Sequence, residues 1–386
     1  MCSRRLQVTY IMNIPQHVVV IGAGAVGASV AYFLSKKKPD LKISVVEKTG
    51  IAQAASGKSG GFLALDWCDS SDLGPIARKS FQLHEQLAKE LDGASYGYRR
   101  VDAFDVTFAT PETGKGLPNV AWINDKSVSY FDVIGTTNTC AQVHPFKFTN
   151  AMIDDAKKRG VKVLCGQGVK ELILDDTSGQ SKGVVLEDDS IIEADVVVVC
   201  MGPWSGQLPI QTTGTHIARL PISGARAHSI VMKPRFEIPP QAIFTHTLLG
   251  GKHYHPEIYP RPDSTVYVCG GPDDEPLPPS AAEVKVNVTS IDTILQLSSM
   301  ASPSLLDGAE ILTRQACYLP NSSDGLPLIG EYPGIPGLYV GTGHSCWGIL
   351  NSPATGLMLS ELILDKQIKC VPEAAVEVVS LKYRCC

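Results

Sequence analysis

His17-Val18-Val19-Val20-Ile21-Gly22-Ala23-Gly24-Ala25-Val26-Gly27, followed by the run Lys42 to Val46 and the acid Glu47, decides the fold. The opening run is continuously apolar, as expected of a strand buried on both faces of a parallel sheet. Past the glycines, Val26, Val30, Ala31 and Leu34 recur at helical spacing, and Lys42 to Val46 reads as the next strand. Strand, helix and strand in so short a stretch form the unit from which parallel sheets are built.

The glycines stand where a dinucleotide needs them. Gly22 permits the tight turn, Gly24 lets the backbone approach a pyrophosphate, and Gly27 lets helix and strand close together. Glu47, 20 residues after Gly27, can accept from a ribose hydroxyl and disfavours a 2′-phosphate, because two negative charges would meet with no arginine between them. The unit alone admits FAD or NAD.

Outward from this stretch two textures alternate. Helices are expected at Leu73 to Leu91, Pro145 to Lys158 and Val284 to Leu297, with a last helix from Pro353 to Asp365 capped by Ser352. Val161 to Leu164, the hairpin arms Val169 to Leu174 and Gly183 to Leu186, the buried run Ala194 to Cys200, and Leu338 to Val340 read as strands. Short β pieces separate them, among them Ala103 to Phe108, Val120 to Ile123, Ala227 to Met232 and Thr265 to Cys269. The expected architecture is α/β: a Rossmann-like FAD/NAD(P)-binding domain with an inserted antiparallel-sheet substrate domain. Cofactor segments are expected at 15–95, 141–217 and 301–368, substrate-domain segments at 96–140 and 218–300, and a tail at 369–386.

The chain has 386 residues and a net charge of −5, so it offers no broad basic surface for nucleic acid. Its 11 cysteines are scattered, with no close pair except Cys385-Cys386. That pattern reads as reduced intracellular thiols rather than a disulfide framework, and no metal site is expected. The first residues, MCSRRLQVTYIMNIPQ, lack the apolar length of a secretory signal and read as a frayed tail. No apolar run is long enough to span a membrane, and an intracellular, cytoplasmic location is expected, with organelle association open.

Two further clusters carry chemistry. Ala55-Ser56-Gly57-Lys58-Ser59-Gly60-Gly61 offers hydroxyl donors and a cation beside the adenosine unit. Gly341-Thr342-Gly343-His344-Ser345-Cys346-Trp347-Gly348 leads into the last helix, whose N-terminus can stabilise negative charge on a reduced flavin.

Taken in order, GAGAVGASVAYFL with Glu47, ASGKSGGF, VVVVCMGPWSG and SSDGLPLIG...GLYVGTGHSCWGILNSPATG resemble the FAD-dependent D-amino-acid oxidase superfamily, in particular its glycine oxidase and sarcosine oxidase branch. The resemblance spans about residues 17 to 365 and implies a glycine oxidase-like fold with FAD as cofactor. It places the cofactor against Ile21, Gly22, Gly24, Ala25, Val26, Gly27, Glu47 and Lys48, then against Ser56 to Gly61, including Gly57, Lys58, Ser59 and Gly60. Val169 falls on the adenine side, and Met201, Gly202 and Trp204 follow the central strand. Gly343, His344, Ser345, Cys346, Trp347, Gly348 and Ile349 approach the flavin. Cys317 falls near the position where sarcosine oxidases attach flavin covalently, although non-covalent FAD is expected here.

Where glycine oxidase carries an arginine in Leu-Arg-Pro, this chain reads Tyr318-Leu319-Pro320. A substrate carboxylate beside Leu319 would lack a donor, at a cost of several kcal/mol, of order ~2–7. Arg261 and Arg314 are the candidate replacements, and Lys58, His344 and Trp347 the candidate flavin-side catalytic groups. The expected activity is hydride removal from the carbon of a C–N bond in a small amine or amino acid, with oxygen or another acceptor taking the electrons. A flavin-bearing trafficking or assembly protein is the rival reading, and an NAD-dependent dehydrogenase the weaker third.

Overall fold

The computed structural model describes residues 14–109, 114, 116–211 and 217–384. Most of the N-terminal stretch and the Cys385-Cys386 pair lie outside the described residues.

Six strands form the first sheet, in the order Leu328–Glu331, Leu338–Thr342, Val196–Val199, His17–Ile21, Lys42–Glu47 and Lys162–Cys165. Every neighbouring pair is parallel except the first. The central strands are buried on both faces, and alternation assigns each face a partner. Val18 and Val20 pack with the helices Ala25–Lys37, Gly74–Glu90, Pro145–Lys158 and Gly348–Asp365. Val19 and Ile21 face the other way, against a three-stranded antiparallel meander of Val169–Leu174, Ser181–Leu186 and Ile191–Glu193. Among the described residues, no helix is long and apolar enough to cross a membrane.

The second large sheet runs Glu310–Ser322, Ile222–Lys233, Val266–Asp273, Glu257–Pro260, Gln241–Leu249, Asp102–Phe108 and Val128–Gly135, with Lys252–Tyr254 added against Gln241–Leu249. It is antiparallel save for one parallel pair, Gln241–Leu249 with Asp102–Phe108. Ile230, Met232, Ile243, Ile258 and Val268 bury one face against the helix Val288–Ala301. The opposite face looks toward the cofactor unit. Its edge strand, Glu310–Ser322, comes from inside the segment 301–368 expected on the cofactor side.

Three local expectations are corrected. Val120 to Ile123 is irregular rather than a strand: its apolar side chains bury without a ladder partner, and the Trp122 indole donates to Gln241 Oε1 at 3.1 Å instead. The helix expected at Val284 starts at Val288 because the Asn287 side chain caps it, accepting from Thr289 N at 3.0 Å.

The last helix begins at Gly348, with Pro353 inside it rather than at its start. Proline cannot donate to the Ile349 carbonyl, and Ala354 N bonds Ser80 Oγ at 3.0 Å, so two carbonyls lose their ordinary helical partners. His84, from the helix Gly74–Glu90, takes over: its Nε2 lies 2.9 Å from Ile349 O and 3.2 Å from Leu350 O. A histidine and a serine from a neighbouring helix thus let the proline sit where propensity alone forbids it.

Candidate functional site

A cleft of about 340 Å³ runs from Glu47, past Ile21 and Cys200 at the ends of two central strands, to the start of the last helix. Its floor is the glycine turn. Gly22 has φ +104°, and a Cβ there would sit 2.4 Å from Cys200 O. At Gly27 a Cβ would sit 2.0 Å from Gly22 O, so this glycine serves helix–strand packing and does not line the cleft. Gly24 differs, since its Cβ would meet only Ser56 Oγ, at 3.0 Å. Its open side faces the cleft.

Glu47 is held by Ala23 N on Oε2 at 2.9 Å, and by Thr49 N at 2.9 Å and Thr49 Oγ1 at 2.8 Å on Oε1. Two bonds fill Oε1, while Oε2 keeps capacity for one more donor from the cleft. Lys48 pairs with Glu187 at 2.7 Å at this end, beside Gln167, Gly168 and Val169.

Most of the expected cofactor residues line the cleft: Ile21, Gly22, Gly24, Ala25, Val26, Glu47, Lys48, Ser56, Ser59, Val169, Met201, Gly202, Trp204, Gly343, His344, Ser345, Cys346, Gly348 and Ile349. Gly57, Lys58, Gly60, Gly61, Cys317 and Trp347 stand outside its lining, as Gly27 does. Gly60 is packed under the large sheet, where a Cβ would reach 2.3 Å from the Tyr259 ring. Thr49, Gln167, Glu187 and the segment Pro279–Ala281 line the cleft without having been expected. Thr49 was the readable one, two residues past Glu47. Pro279 to Ala281 arrives from the substrate side, anchored by the Trp204 indole donating to Pro278 O at 2.7 Å, and carried no local signal.

At the far end the helix Gly348–Asp365 presents uncapped N–H groups to the cleft. The side chain of His344 is buried, and desolvation pushes its pKa down to about 4, so it is neutral near pH 7. Thr355 Oγ1 donates to Asn351 O at 2.9 Å, so His344 Nε2–H is the donor across the 3.2 Å contact with Thr355 Oγ1. That assignment leaves His344 Nδ1 as a buried acceptor with no partner among the described residues. Ser59 Oγ is likewise buried and unpartnered.

Lys58 is desolvated, which lowers its pKa, and its Nζ donates to Ala316 O at 3.1 Å beside Cys317. The Cys317 thiol is buried, and desolvation pushes its pKa up to about 11 against the opposing influence of Lys58. Trp347 packs edge-on against Trp67 with centroids 6.2 Å apart.

Neither candidate arginine lines the cleft. Arg314 is exposed on the edge strand. Arg261 is buried at the end of a stack of rings: Phe62 and Tyr259 lie 5.7 Å apart, Tyr259 and Tyr267 6.0 Å apart, and the guanidinium sits 5.1 Å over Tyr267 while donating to Ser59 O. Both are absent from the cleft lining, where Leu319 and Pro320 stand instead.

The facing side of the large sheet carries a row that sequence reading missed. Strand register aligns Phe244, Glu257, Cys269, Ser229 and Gln315. Gln315 Nε2 donates to Lys58 O at 3.1 Å, which places this face against the Ser56 to Gly61 loop. Glu257 accepts from the Tyr259 hydroxyl and from Cys269 Sγ, and desolvation raises its pKa. Desolvation raises the pKa of the Cys346 thiol, which lines the cleft, and the nearby Glu257 acts in the same direction.

The profile of the FAD dependent oxidoreductase family DAO matches residues 17–362. A Schizosaccharomyces pombe oxidoreductase, C1F5.03c, is 34% identical over 377 residues, covering 92% of this chain and 95% of that protein. The glycine oxidase of Bacillus subtilis is 24% identical over 367 residues, covering 91% and 93%. The crystal structure of glycine oxidase from Geobacillus kaustophilus superposes with a TM-score of 0.79 at 19% identity, covering 96% of this chain and 99% of that one, and so shares the fold. A glycine turn, a held glutamate, a cleft running between them and the last helix, and a family profile spanning nearly the whole chain agree: the chain belongs to the DAO family of FAD-dependent oxidoreductases.

Proposed function

We propose that this chain oxidises the C–N bond of a small amine or amino acid with FAD, and that oxygen or another acceptor removes the electrons. The observation that carries this reading is the continuity of the cleft, which joins an adenosine-type end at Glu47 to the helix N-terminus at Gly348, beside Leu319 and Pro320 of the large sheet's edge strand. Its residues fit the cofactor. Gly24 leaves its side open, Glu47 Oε2 has a free acceptor site, and Ser59 Oγ and His344 Nδ1 are buried polar atoms needing partners.

When bound, FAD supplies the redox chemistry by accepting a hydride and passing electrons onward. The Gly22–Gly27 turn, with the start of the helix Ala25–Lys37 behind it, would hold negative phosphate charge. Glu47 orients the ribose. The uncapped start of Gly348–Asp365 would favour negative charge on the cofactor at this end of the cleft. Ser59 and His344 complete the polar contacts, and neutral His344 does so without adding a cation. Lys58 and Trp347 stand one layer back, Lys58 fixing the loop to the strand of Cys317 and Trp347 shaping the substrate side. The facing side of the large sheet, tied to the Ser56 to Gly61 loop through Gln315, would close off the substrate side.

Purified protein should be yellow and release FAD on denaturation. Mixing it anaerobically with glycine, sarcosine and uncharged amines, alongside Arg261→Met and Arg314→Met, tests the reaction. Bleaching by an amine supports the proposal, whereas a tightly held flavin that no amine reduces favours the trafficking or assembly reading, to which Leu319 in the clamp position lends weight. Fast bleaching by glycine that is lost in Arg314→Met would reject the placement of that residue outside the site.

A further inference from the structure

Near Cys346 stands a group of aromatic side chains whose chemistry is the reverse of a carboxylate clamp. Phe62, Trp67, Phe244 and Trp347 are only half-buried, although they stand between the large sheet and the turn that leads into the last helix. Their rings converge. Phe62 and Trp67 are 4.9 Å apart, Trp67 and Phe244 4.9 Å, Phe62 and Phe244 5.0 Å, and Trp67 and Trp347 6.2 Å. Glu257 sits in the same register row as Phe244.

We propose that the exposed surfaces of Phe62, Trp67, Phe244 and Trp347, together with Glu257, form a recess that receives a cationic nitrogen of the substrate, so that the amine oxidised carries a second ammonium group where an amino acid carries its carboxylate. The inference rests on the amine-oxidising reading and deepens it.

Three observations support it. First, Glu257 has no counter-ion: no lysine or arginine among the described residues lies within salt-bridge distance of it. Both of its hydrogen bonds fall on Oε2, leaving Oε1 open. Asp105, next in the row beyond Phe244, is by contrast already paired with His246 at 2.9 Å. A desolvated carboxylate without a counter-ion is costly, and an entering cation relieves that cost.

Second, aromatic faces around a small space attract ammonium groups through their quadrupoles, more strongly where water is excluded. Third, the neighbouring cations are committed elsewhere. Arg261 lies beyond the Tyr259–Tyr267 stack on Ser59 O, and Lys58 Nζ is bound to Ala316 O. With Leu319 in the cleft, a substrate carboxylate would meet a carboxylate and an aliphatic wall.

The test uses the FAD-loaded protein and an unreactive probe. Tetramethylammonium chloride is titrated against flavin absorbance and tryptophan fluorescence, with sodium chloride matched for ionic strength and tert-butanol as the neutral control. Saturable binding of tetramethylammonium alone is expected, weakened tenfold or more in Glu257→Gln and also in Phe244→Leu. Phe244→Leu decides the matter if Glu257→Gln fails to retain flavin. Equal signals from tert-butanol, no saturable signal, or unchanged binding in a folded variant would overturn the inference.

In anaerobic reduction, 1,4-diaminobutane should act at least tenfold faster than butylamine or glycine. If butylamine reduces the flavin as fast as the diamine, the recess is rejected while the amine reading stands. If no amine reduces the flavin, the amine reading fails and the probe titration still judges the recess.

Discussion

Replacing His84 with leucine removes the group that lets Pro353 sit inside the last helix. His84 is buried, with its ring against Phe148 at 4.8 Å, so leucine occupies similar space without the donor. Ile349 O keeps a partial partner in Ser352 Oγ at 3.1 Å, but Leu350 O has lost its helical donor to Ser80 and depends on His84. One buried carbonyl left unpaired costs about 1–3 kcal/mol, and the weakened bond at Ile349 adds about 1 kcal/mol, for a destabilisation of about 2–4 kcal/mol. The damage falls at the helix start that lines the cleft, so FAD affinity should drop together with stability. Thermal melts of apo and FAD-loaded protein measure both, and the gap between them should narrow in the variant. Glutamine at position 84 keeps an N–H donor and should recover part of each loss. A His84→Leu protein that melts like wild type, or that loses stability with FAD affinity untouched, would refute the proposed repair of the proline.

Gly24→Val should abolish FAD occupancy while the apo protein stays folded, because a side chain there disturbs only Ser56 before entering the cleft; Gly27→Ala should instead fail to fold, its Cβ meeting Gly22 O at 2.0 Å. Far-ultraviolet dichroism and flavin content separate these outcomes. His84, His144 and His344 each have a pKa pushed down to about 4 by desolvation, so between pH 6.5 and 4 the unfolded chain binds more protons than the folded one. Stability should therefore be level above pH 6.5 and fall on acidification by up to about 3 kcal/mol per histidine, and urea melts in which His84→Gln shows the same slope would contradict this. A Cys317 thiol with its pKa pushed up to about 11 is almost entirely protonated at neutral pH, so acid precipitation should leave a colourless pellet and free FAD in solution.

The parallel sheet was legible because its information is local: a valine run, three glycines and an acid within one βαβ unit state both the strand and its ligand. Pro353 was misread for the opposite reason. Everything that permits it, Ser80 and His84, lies about 270 positions away, and local propensity favours a start at proline. The irregular segment Val120 to Ile123 looked like a strand because burial needs apolar residues whether or not a ladder forms. The Glu257 row escaped notice altogether, since Phe244, Glu257, Cys269 and Gln315 become neighbours only through strand register. Arg261 was legible as a residue but not as a placement, because the tyrosines that confine it are set by the same register.

The order of strands in the first sheet also bears on synthesis. Val196–Val199, wholly apolar, pairs with His17–Ile21 on one side and with Leu338–Thr342 on the other. As the chain leaves the ribosome, one edge of that strand stays open until residue 342 has emerged, long after its first partner is in place. An unpaired valine edge invites pairing with other nascent chains. The last-made helix, Gly348–Asp365, supplies part of the cleft wall, so the nucleotide site is finished only near the end of translation. Flavin supply would then set the yield of native protein after synthesis, and starved cells should accumulate aggregated rather than folded, empty chain.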